Sequence, residues 1–206
     1  LIFNGQFQKF FKEQSYNKIS FSGDVYDWYR LPRNGIGEYG SGWPTYDEIG
    51  NILNINNIDL EQYDRLILMP NGWCGWSYVG KSNVIINNHE YFISLACVGS
   101  RVFDSQFQVG NFNDLIELPF PWTGGDYVLS HEIGHSLGTW HANKWECDNQ
   151  ILYGDCNHIE YGNFYDVMGN GGFALHFNVY YKELLGWLDQ NLTLTITNSG
   201  QYTIKP

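Results

Sequence analysis

Basic side chains are scarce in this sequence. Its 206 residues include 11 lysines and arginines against 22 aspartates and glutamates, giving a formal net charge of −11. A surface of that sign repels phosphate backbones, which argues against a nucleic acid partner. Long apolar runs are missing too, since none approaches the roughly 18 residues of a membrane-spanning helix. We therefore expect no membrane span.

Cysteine is infrequent as well, with four residues and no C-x-x-C pair, which argues against a cysteine-based metal site. Cys147 and Cys156 bracket a short polar loop, whereas Cys74 and Cys97 flank predicted strands, so we predict two disulfides with that pairing. Three pairings are open from the sequence alone, and free thiols are the alternative. Disulfides form in oxidising compartments, so we expect a secreted, extracellular protein.

Histidine is rare overall but concentrated in one place. Three of the six histidines lie in "VLSHEIGHSLGTWHA", residues 128–142. The string H-E-x-x-H-x-x-G-x-x-H is expected by chance only on the order of 10⁻⁵ to 10⁻⁴ times in such a chain. On a helix, His131 and His135 face the same side. Gly138 can then end the helix in a left-handed conformation and return His141 towards the other two.

This spacing predicts a catalytic metal site. Three neutral imidazoles and a water form the open tetrahedral arrangement typical of catalytic zinc, so we predict one Zn²⁺ ion on His131, His135 and His141. Glu132 lies about 100° around the helix axis from His131, beside the open position, where a general base for water would stand. The alternative is an ordinary amphipathic helix whose apolar residues pack inward, a packing that is compatible with a metal-binding face.

The long motif resembles that of the metzincin metallopeptidases. Members of that family also have a tight turn that places a methionine beneath the metal ligands. Met168, in "YDVMGNGG", is followed by glycines that suit such a turn, whereas Met69, the other methionine, has the pattern of an ordinary strand residue. In some metzincins a tyrosine two residues after the methionine assists the transition state. Here that position is Asn170, so the resemblance assigns no oxyanion-stabilising tyrosine.

Three further segments resemble the gametolysin or autolysin-like branch: "YDRLILMPNGWCGWSYVG", "YGNFYDVMG" and "FNVYYKELLGWL". The resemblance implies an α+β catalytic domain with an upper lobe of twisted mixed β-sheet and helices, a smaller lower lobe, and a cleft between them. We expect this domain to span residues 1–190, with the upper lobe at about 1–138 and the lower lobe at about 139–190. Residues 191–206 are expected to form a β-hairpin tail or the start of a further β domain.

Local patterns predict the individual elements. Alternation predicts a strand in "KISFSGDVY", and Thr45 and Glu48 have the spacing of a capping box at the start of a helix in "TYDEIGNILNI". Further strands are predicted in "RLILM", "NVIIN" and "YFISLACV". The motif helix is expected to start near Asp126 as its N-cap, and "FNVYYKELLGWL" is predicted to be helical. We expect "YFISLACV" to be the edge strand on which an extended substrate pairs.

The function expected from these features is a secreted zinc endopeptidase that hydrolyses proteins or glycoproteins and acts as a monomer. We expect one wall of the substrate-binding pocket to come from the loop after Met168, including Phe173 and Leu175. One alternative is a catalytically inactive, zinc-containing module that binds glycoproteins, and a base beside the metal argues against it. Another is a metal-dependent hydrolase that acts on a different bond.

A calcium site is a separate hypothesis. Oxygen-bearing side chains cluster in the loop between Cys147 and Cys156, namely Asp148, Asn149, Asp155 and Asn157. These groups could hold Ca²⁺, but their spacing does not match an EF-hand loop. A solvated polar loop is the alternative, and no specific motif supports calcium.

Overall fold

The chain folds as an α+β protein with a mixed β-sheet. The computed structural model describes residues 5–31, 44–71, 74–100, 124–148, 154–170 and 175–203. Four α-helices lie in these residues: α1 (Gln6–Gln14), α2 (Tyr46–Ile55), α3 (Gly124–Leu137) and α4 (Val179–Leu184). The strands are β1 (Arg65–Leu68), β2 (Gly75–Ser77), β3 (Ser82–Ile86), β4 (His89–Val98), β5 (Lys144–Cys147) and β6 (Cys156–Ile159). None of the described helices combines the length and apolar character needed to cross a bilayer.

Strand β4 is the centre of the main sheet. It pairs with β1 in parallel, with Leu66 opposite Leu95, and with β2 and β3 antiparallel. The strand order is β1-β4-β2, with β3 also paired to β4. The expectation that "YFISLACV" forms the edge strand is therefore wrong. The apolar run reflects burial on both faces of a central strand, because β4 is buried from Ile93 to Val98.

The sheet separates two hydrophobic cores. Successive side chains of a strand point to opposite faces, and Leu95 packs in one core while Val98 packs in the other. The first core contains residues of α2, β3, β4 and the short turn before β1: Ile49, Leu53, Leu60, Val84, Ile86, Ile93 and Leu95. The second core contains residues of α1, β4, α3 and the C-terminal part: Phe7, Phe10, Phe11, Val98, Leu129, Ile133, Val167, Met168, Phe177 and Trp187. Helix α3 is thereby held against β4 and β2.

Two disulfides are present with the predicted pairing. Cys74–Cys97 ties the residue before β2 to β4, and Cys147–Cys156 closes the β5–β6 hairpin. No cysteine of the chain is free. The first bond anchors β2 beside α3, and both are compatible with an extracellular protein.

Several predicted elements are confirmed and others are not. The capping box of α2 is present, since Thr45 Oγ1 accepts from the Glu48 N–H and Glu48 Oε2 accepts from the Thr45 N–H. Residues 18–26 form no strand, although the alternating pattern predicts one there. Helix α3 begins at Gly124, so Asp126 is not its N-cap. Helix α4 is shorter than predicted, and residues 193–203 contain no strand where a hairpin was expected.

Candidate metal centre

The two histidines of α3 lie side by side in the interior. His131 and His135 are 6% and 7% exposed, and their ring centroids are 4.8 Å apart, as expected for positions one helical turn apart. The same helix buries Leu129 and Ile133 in the second core. The apolar packing and the histidine pair therefore coexist on one helix, as the sequence predicts.

The third histidine reaches the pair because α3 ends at Leu137, directly before Gly138. This glycine has a φ of +110°, which side chains rarely adopt, and its N–H donates to the His135 carbonyl oxygen. The chain then reverses, and the ring of His141 comes to 4.8 Å from that of His135 and 5.5 Å from that of His131. One ligand atom from each of the three histidines lies within 4.8 Å of the others. Three histidines that could hold one metal ion are thus brought together.

The Nδ1 atoms determine which ring nitrogens face the centre. His131 Nδ1 lies 2.8 Å from the Val167 carbonyl oxygen, and His135 Nδ1 lies 2.8 Å from the Thr139 carbonyl oxygen. A carbonyl can only accept, so both Nδ1 atoms carry the proton and both Nε2 atoms keep a lone pair. His141 Nδ1 lies 2.7 Å from Glu160 Oε1, which directs its Nε2 in the same way. This is the tautomer that metal binding requires.

Burial also keeps the α3 histidines neutral. Loss of solvent, with a smaller contribution from His135, lowers the pKa of His131 to about 4. Burial likewise lowers the pKa of His135. Both imidazoles are therefore uncharged at neutral pH, the form in which histidine binds a metal.

Glu132 directly follows His131 on α3 and is buried like it. Its side chain is 5% exposed, and burial raises its pKa to about 8. Its Oε2 atom is buried and has no hydrogen-bond partner among the described residues. A buried carboxylate oxygen without a partner is costly. A water held by a metal would supply the missing donor, so these residues fit a hydrated metal ion.

Strand β2 leaves room for this carboxylate. A Cβ atom on Gly75 would lie 3.3 Å from Glu132 Oε1, which is tighter than ordinary van der Waals contact. Gly75 also borders an open cleft of about 230 Å³. The other residues of its wall are Tyr127, Val128, His131, Glu132, Tyr161 and Asn170. Glu132 and His131 thus face a space that a ligand can enter.

Met168 packs directly beneath α3. It is fully buried, and a Cβ atom on Gly134 would lie only 2.3 Å from its Sδ atom. Asp166 holds the turn, because its Oδ1 accepts from the Met168 N–H at 2.7 Å and its Oδ2 accepts from the Asn178 N–H at 2.7 Å. The Met168 carbonyl oxygen accepts from the Ala142 N–H, next to the third histidine. The turn is therefore bonded to the histidine cluster.

Of the two residues predicted to line a substrate pocket, the structure describes only Leu175. Leu175 is half-buried and outside the wall given above. Phe173 lies outside the described residues. In the described part of the chain, the three histidines are the one group of three or more side chains whose His, Cys, Asp or Glu ligand atoms converge. The calcium hypothesis therefore gains no support, and Asn149 falls outside the described ranges.

Sequence reasoning missed four residues of the site. Gly75 and Gly134 matter because side chains there would collide with Glu132 and Met168. Glu160 and Tyr161 contact His141. Gly134 had a local signal, a small residue inside the motif, but nothing in the sequence pairs residues 160 and 161 with position 141.

Comparison of this chain with protein-family models, curated proteins and solved structures found no match. The fold and the site define an α+β protein with a three-histidine candidate metal centre.

Proposed function

We propose that this protein is a secreted zinc endopeptidase of the metzincin type, related to the gametolysin or autolysin-like peptidases. The observation that carries the proposal is the buried Glu132 Oε2 atom, which has no partner among the described residues. Its side chain lines a cleft together with His131, one of three histidines whose ligand atoms converge. A site that only binds metal for stability has four protein ligands and no need of a base. An open position with a carboxylate beside it is typical of hydrolysis.

Zinc is the metal that this donor set favours. Three neutral imidazoles with one open position are typical of catalytic zinc. When bound, the ion would polarise the scissile carbonyl and acidify a water molecule. His131, His135 and His141 would hold it through their Nε2 atoms, because their Nδ1 atoms are engaged elsewhere.

Glu132 is the general base. It accepts a proton from the attacking water as the water oxygen bonds to the carbonyl carbon. It then donates that proton to the amide nitrogen as the C–N bond breaks, so one carboxyl group carries the proton through the whole reaction. A neighbouring cation favours the charged form of the carboxylate. It would therefore bring the pKa of Glu132 down from about 8 towards the neutral range that a base requires.

An extended peptide would bind along β2 rather than β4. Gly75 of β2 lies against both Glu132 and Val128 and borders the cleft. A peptide that runs along β2 would therefore pass the cleft that His131 and Glu132 line. The sheet with α3 then corresponds to the upper lobe and the residues after His141 to the lower lobe. The substrates would be extracellular proteins or glycoproteins.

The alternative is an inactive, zinc-containing module that binds glycoproteins. Exposed aromatic side chains favour it, since Trp140, Trp145 and Tyr165 lie on the surface near the site. Glu132 weighs against it, because a binding module gains nothing from a buried carboxylate held in the cleft.

The test is a digest of a peptide library and of extracellular glycoproteins, analysed by mass spectrometry. The zinc-loaded protein, the protein stripped by a chelator and the stripped protein reloaded with zinc are compared. We expect cleavage in the first and third samples alone. Absence of cleavage by the zinc-loaded protein, or cleavage that survives complete removal of zinc, would overturn the proposal.

A further inference from the structure

His141 is the one candidate ligand that α3 does not carry. It follows the end of the helix, and its side chain is 22% exposed. Two consecutive residues from the turn after β6, Glu160 and Tyr161, contact its imidazole. Because no helix holds His141, these contacts decide where its ring points.

Glu160 contacts the Nδ1 side of the His141 ring. Its Oε1 atom lies 2.7 Å from His141 Nδ1. A carboxylate accepts this hydrogen bond, so it fixes the Nδ1–H tautomer and leaves the Nε2 lone pair facing His131 and His135. The Glu160 side chain is 63% exposed, so it contributes little to the hydrophobic core.

Tyr161 covers the face of the same ring. The ring centroids of Tyr161 and His141 are 3.6 Å apart at an interplanar angle of 31°. Tyr161 also stacks with His131 at 5.8 Å and 21°. An aromatic ring against the imidazole face restricts rotation of His141 about its side-chain bonds, which the hydrogen bond of Glu160 alone does not prevent.

The backbone at Tyr161 makes this double contact feasible. Its φ of 60° is in the left-handed region, which is uncommon for a bulky residue and favours glycine. Two asparagines hold it there: Asn143 Oδ1 accepts from the Tyr161 N–H at 3.1 Å, and the Asn170 N–H donates to the Tyr161 carbonyl oxygen at 2.9 Å. Strained backbone of this kind persists where its surroundings over-determine it, and is concentrated at functional sites.

We propose that Glu160 and Tyr161 form a clamp that positions His141 for metal binding, Glu160 through Nδ1 and Tyr161 through its ring face. Both are positioning residues and act through His141. The inference rests on the metal site of the proposed function and is independent of the bond that is hydrolysed. The affinity of the site for zinc, rather than the stability of the fold, therefore depends on the clamp.

The role of Glu160 in the clamp is tested by zinc affinity, measured by competition with a chromophoric chelator. We expect E160A to raise the zinc Kd roughly 10- to 100-fold, and E160Q, which keeps an acceptor but loses the charge, to have a smaller effect. The matched control is E146A, because Glu146 is an exposed carboxylate on the β5–β6 hairpin paired with Lys144. It should stay within about twofold of the unsubstituted protein. The unfolding midpoint of metal-free E160A should be unchanged.

The role of Glu160 is also tested without metal, through the tautomer of His141. Long-range ¹⁵N NMR of the metal-free protein reports which nitrogen of His141 carries the proton. We expect the Nδ1–H form in the unsubstituted protein and in E146A, and its loss as the dominant form in E160A. A role of Glu160 in fold stability alone would not change this tautomer.

The role of Tyr161 in the clamp is tested by three substitutions. Y161F keeps the ring and should retain zinc affinity, whereas Y161A should raise the zinc Kd roughly 3- to 10-fold through loss of the ring contact. Y161G removes the ring and also relieves the left-handed strain. We expect it to lose affinity as Y161A does, which a purely conformational role of the turn would not predict. Y165A, at an exposed tyrosine of the same region, is the control.

Two outcomes separate this inference from the proposed function. If zinc-loaded protein cleaves nothing while E160A and Y161A weaken zinc binding, the clamp stands and the peptidase assignment is rejected. If E160A, Y161A and Y161G all bind zinc within about twofold of the unsubstituted protein, the clamp is overturned, whatever the activity.

Discussion

The candidate metal centre has two halves that are built differently. The helical half consists of His131, Glu132 and His135 on α3, each at most 7% exposed. The loop half consists of His141, Glu160 and Tyr161, with the first two side chains 22% and 63% exposed. In the helical half the backbone carbonyls of Val167 and Thr139 orient the imidazoles. In the loop half two side chains do so.

This difference between backbone and side-chain partners shows what fixes the geometry of the histidines in each half. Carbonyls that belong to the packed fold move only if the fold moves, so the helical half is as rigid as the core around it. Side chains on an exposed turn can be replaced without disturbing that core. Changes that displace the imidazoles of the helical half should therefore alter folding stability and metal binding together, while changes in the loop half should alter metal binding alone.

The largest expected effect comes from removing the support beneath the helical half. Met168→Ala leaves a cavity against Gly134 and should lower the free energy of unfolding by about 2 to 5 kcal/mol. Zinc affinity should fall with it, because α3 loses a fixed position, while turnover per bound zinc changes little. Urea unfolding measures the free energy of unfolding, and competition with a chelator measures the zinc affinity. Met69→Ala is the control at a half-buried methionine and should cost less; unchanged stability of Met168→Ala would contradict the prediction.

The second prediction separates chemistry from geometry within the helical half. Glu132→Gln keeps the shape of the side chain but removes the base, so turnover of the zinc-loaded protein should fall at least about 100-fold. Zinc content should stay the same, because Glu132 is outside the group of three ligand atoms. Glu146→Gln, on the exposed hairpin, should keep full activity. Near-normal turnover in zinc-loaded Glu132→Gln would remove the base from the mechanism.

The difference between the helical half and the loop half is tested directly by comparing the stability of two metal-free variants. His131→Ala leaves the buried Val167 carbonyl without its donor, which should cost about 1 to 3 kcal/mol of unfolding free energy. His141→Ala removes a more exposed ring whose partner Glu160 remains hydrated, so the cost should be about 0.5 kcal/mol or less. Both substitutions should abolish tight zinc binding. Equal losses of stability in urea would mean that the two halves are not different in kind.

The smallest expected effect is a pH dependence that belongs to the helical half. Between pH 4.5 and 8 the folded metal-free protein holds a proton on Glu132 that the unfolded chain has lost, so this group makes stability fall as pH rises. Between about pH 4 and 6.5 the unfolded chain protonates His131 and the folded protein does not, so this group makes stability fall as pH drops. The two contributions oppose each other between pH 4.5 and 6.5.

From pH 6.5 to 8 the contribution of Glu132 to stability is no longer opposed by that of His131. The free energy of unfolding of the metal-free protein should therefore fall by about 1 to 2 kcal/mol over this range. Urea unfolding at several pH values measures it. Metal-free Glu132→Gln carries no titrating group at this position and should not show the decline; an equal decline in that variant would assign it to other residues.

Sequence patterns predicted the elements whose signals are local. The motif lies on a helix that ends directly before Gly138, the capping box of α2 is formed, and both disulfides have the predicted pairing. The edge strand was placed wrongly, although the unbroken apolar run of β4 is itself typical of a central strand. The strand predicted over residues 18–26 is absent for a related reason, because alternation indicates that a segment suits a sheet but does not supply a partner strand.

The sequence by itself determined that three histidines converge and that a glutamate follows the first of them on the helix, because helical periodicity and a glycine after the helix bring these side chains together through local geometry. Only the tertiary structure decided which strand borders the cleft and what orients each imidazole. The partners of His131 and His141 lie 36 and 19 residues away along the chain. Contacts at such separations depend on how all the elements pack, and no periodicity in the sequence encodes them.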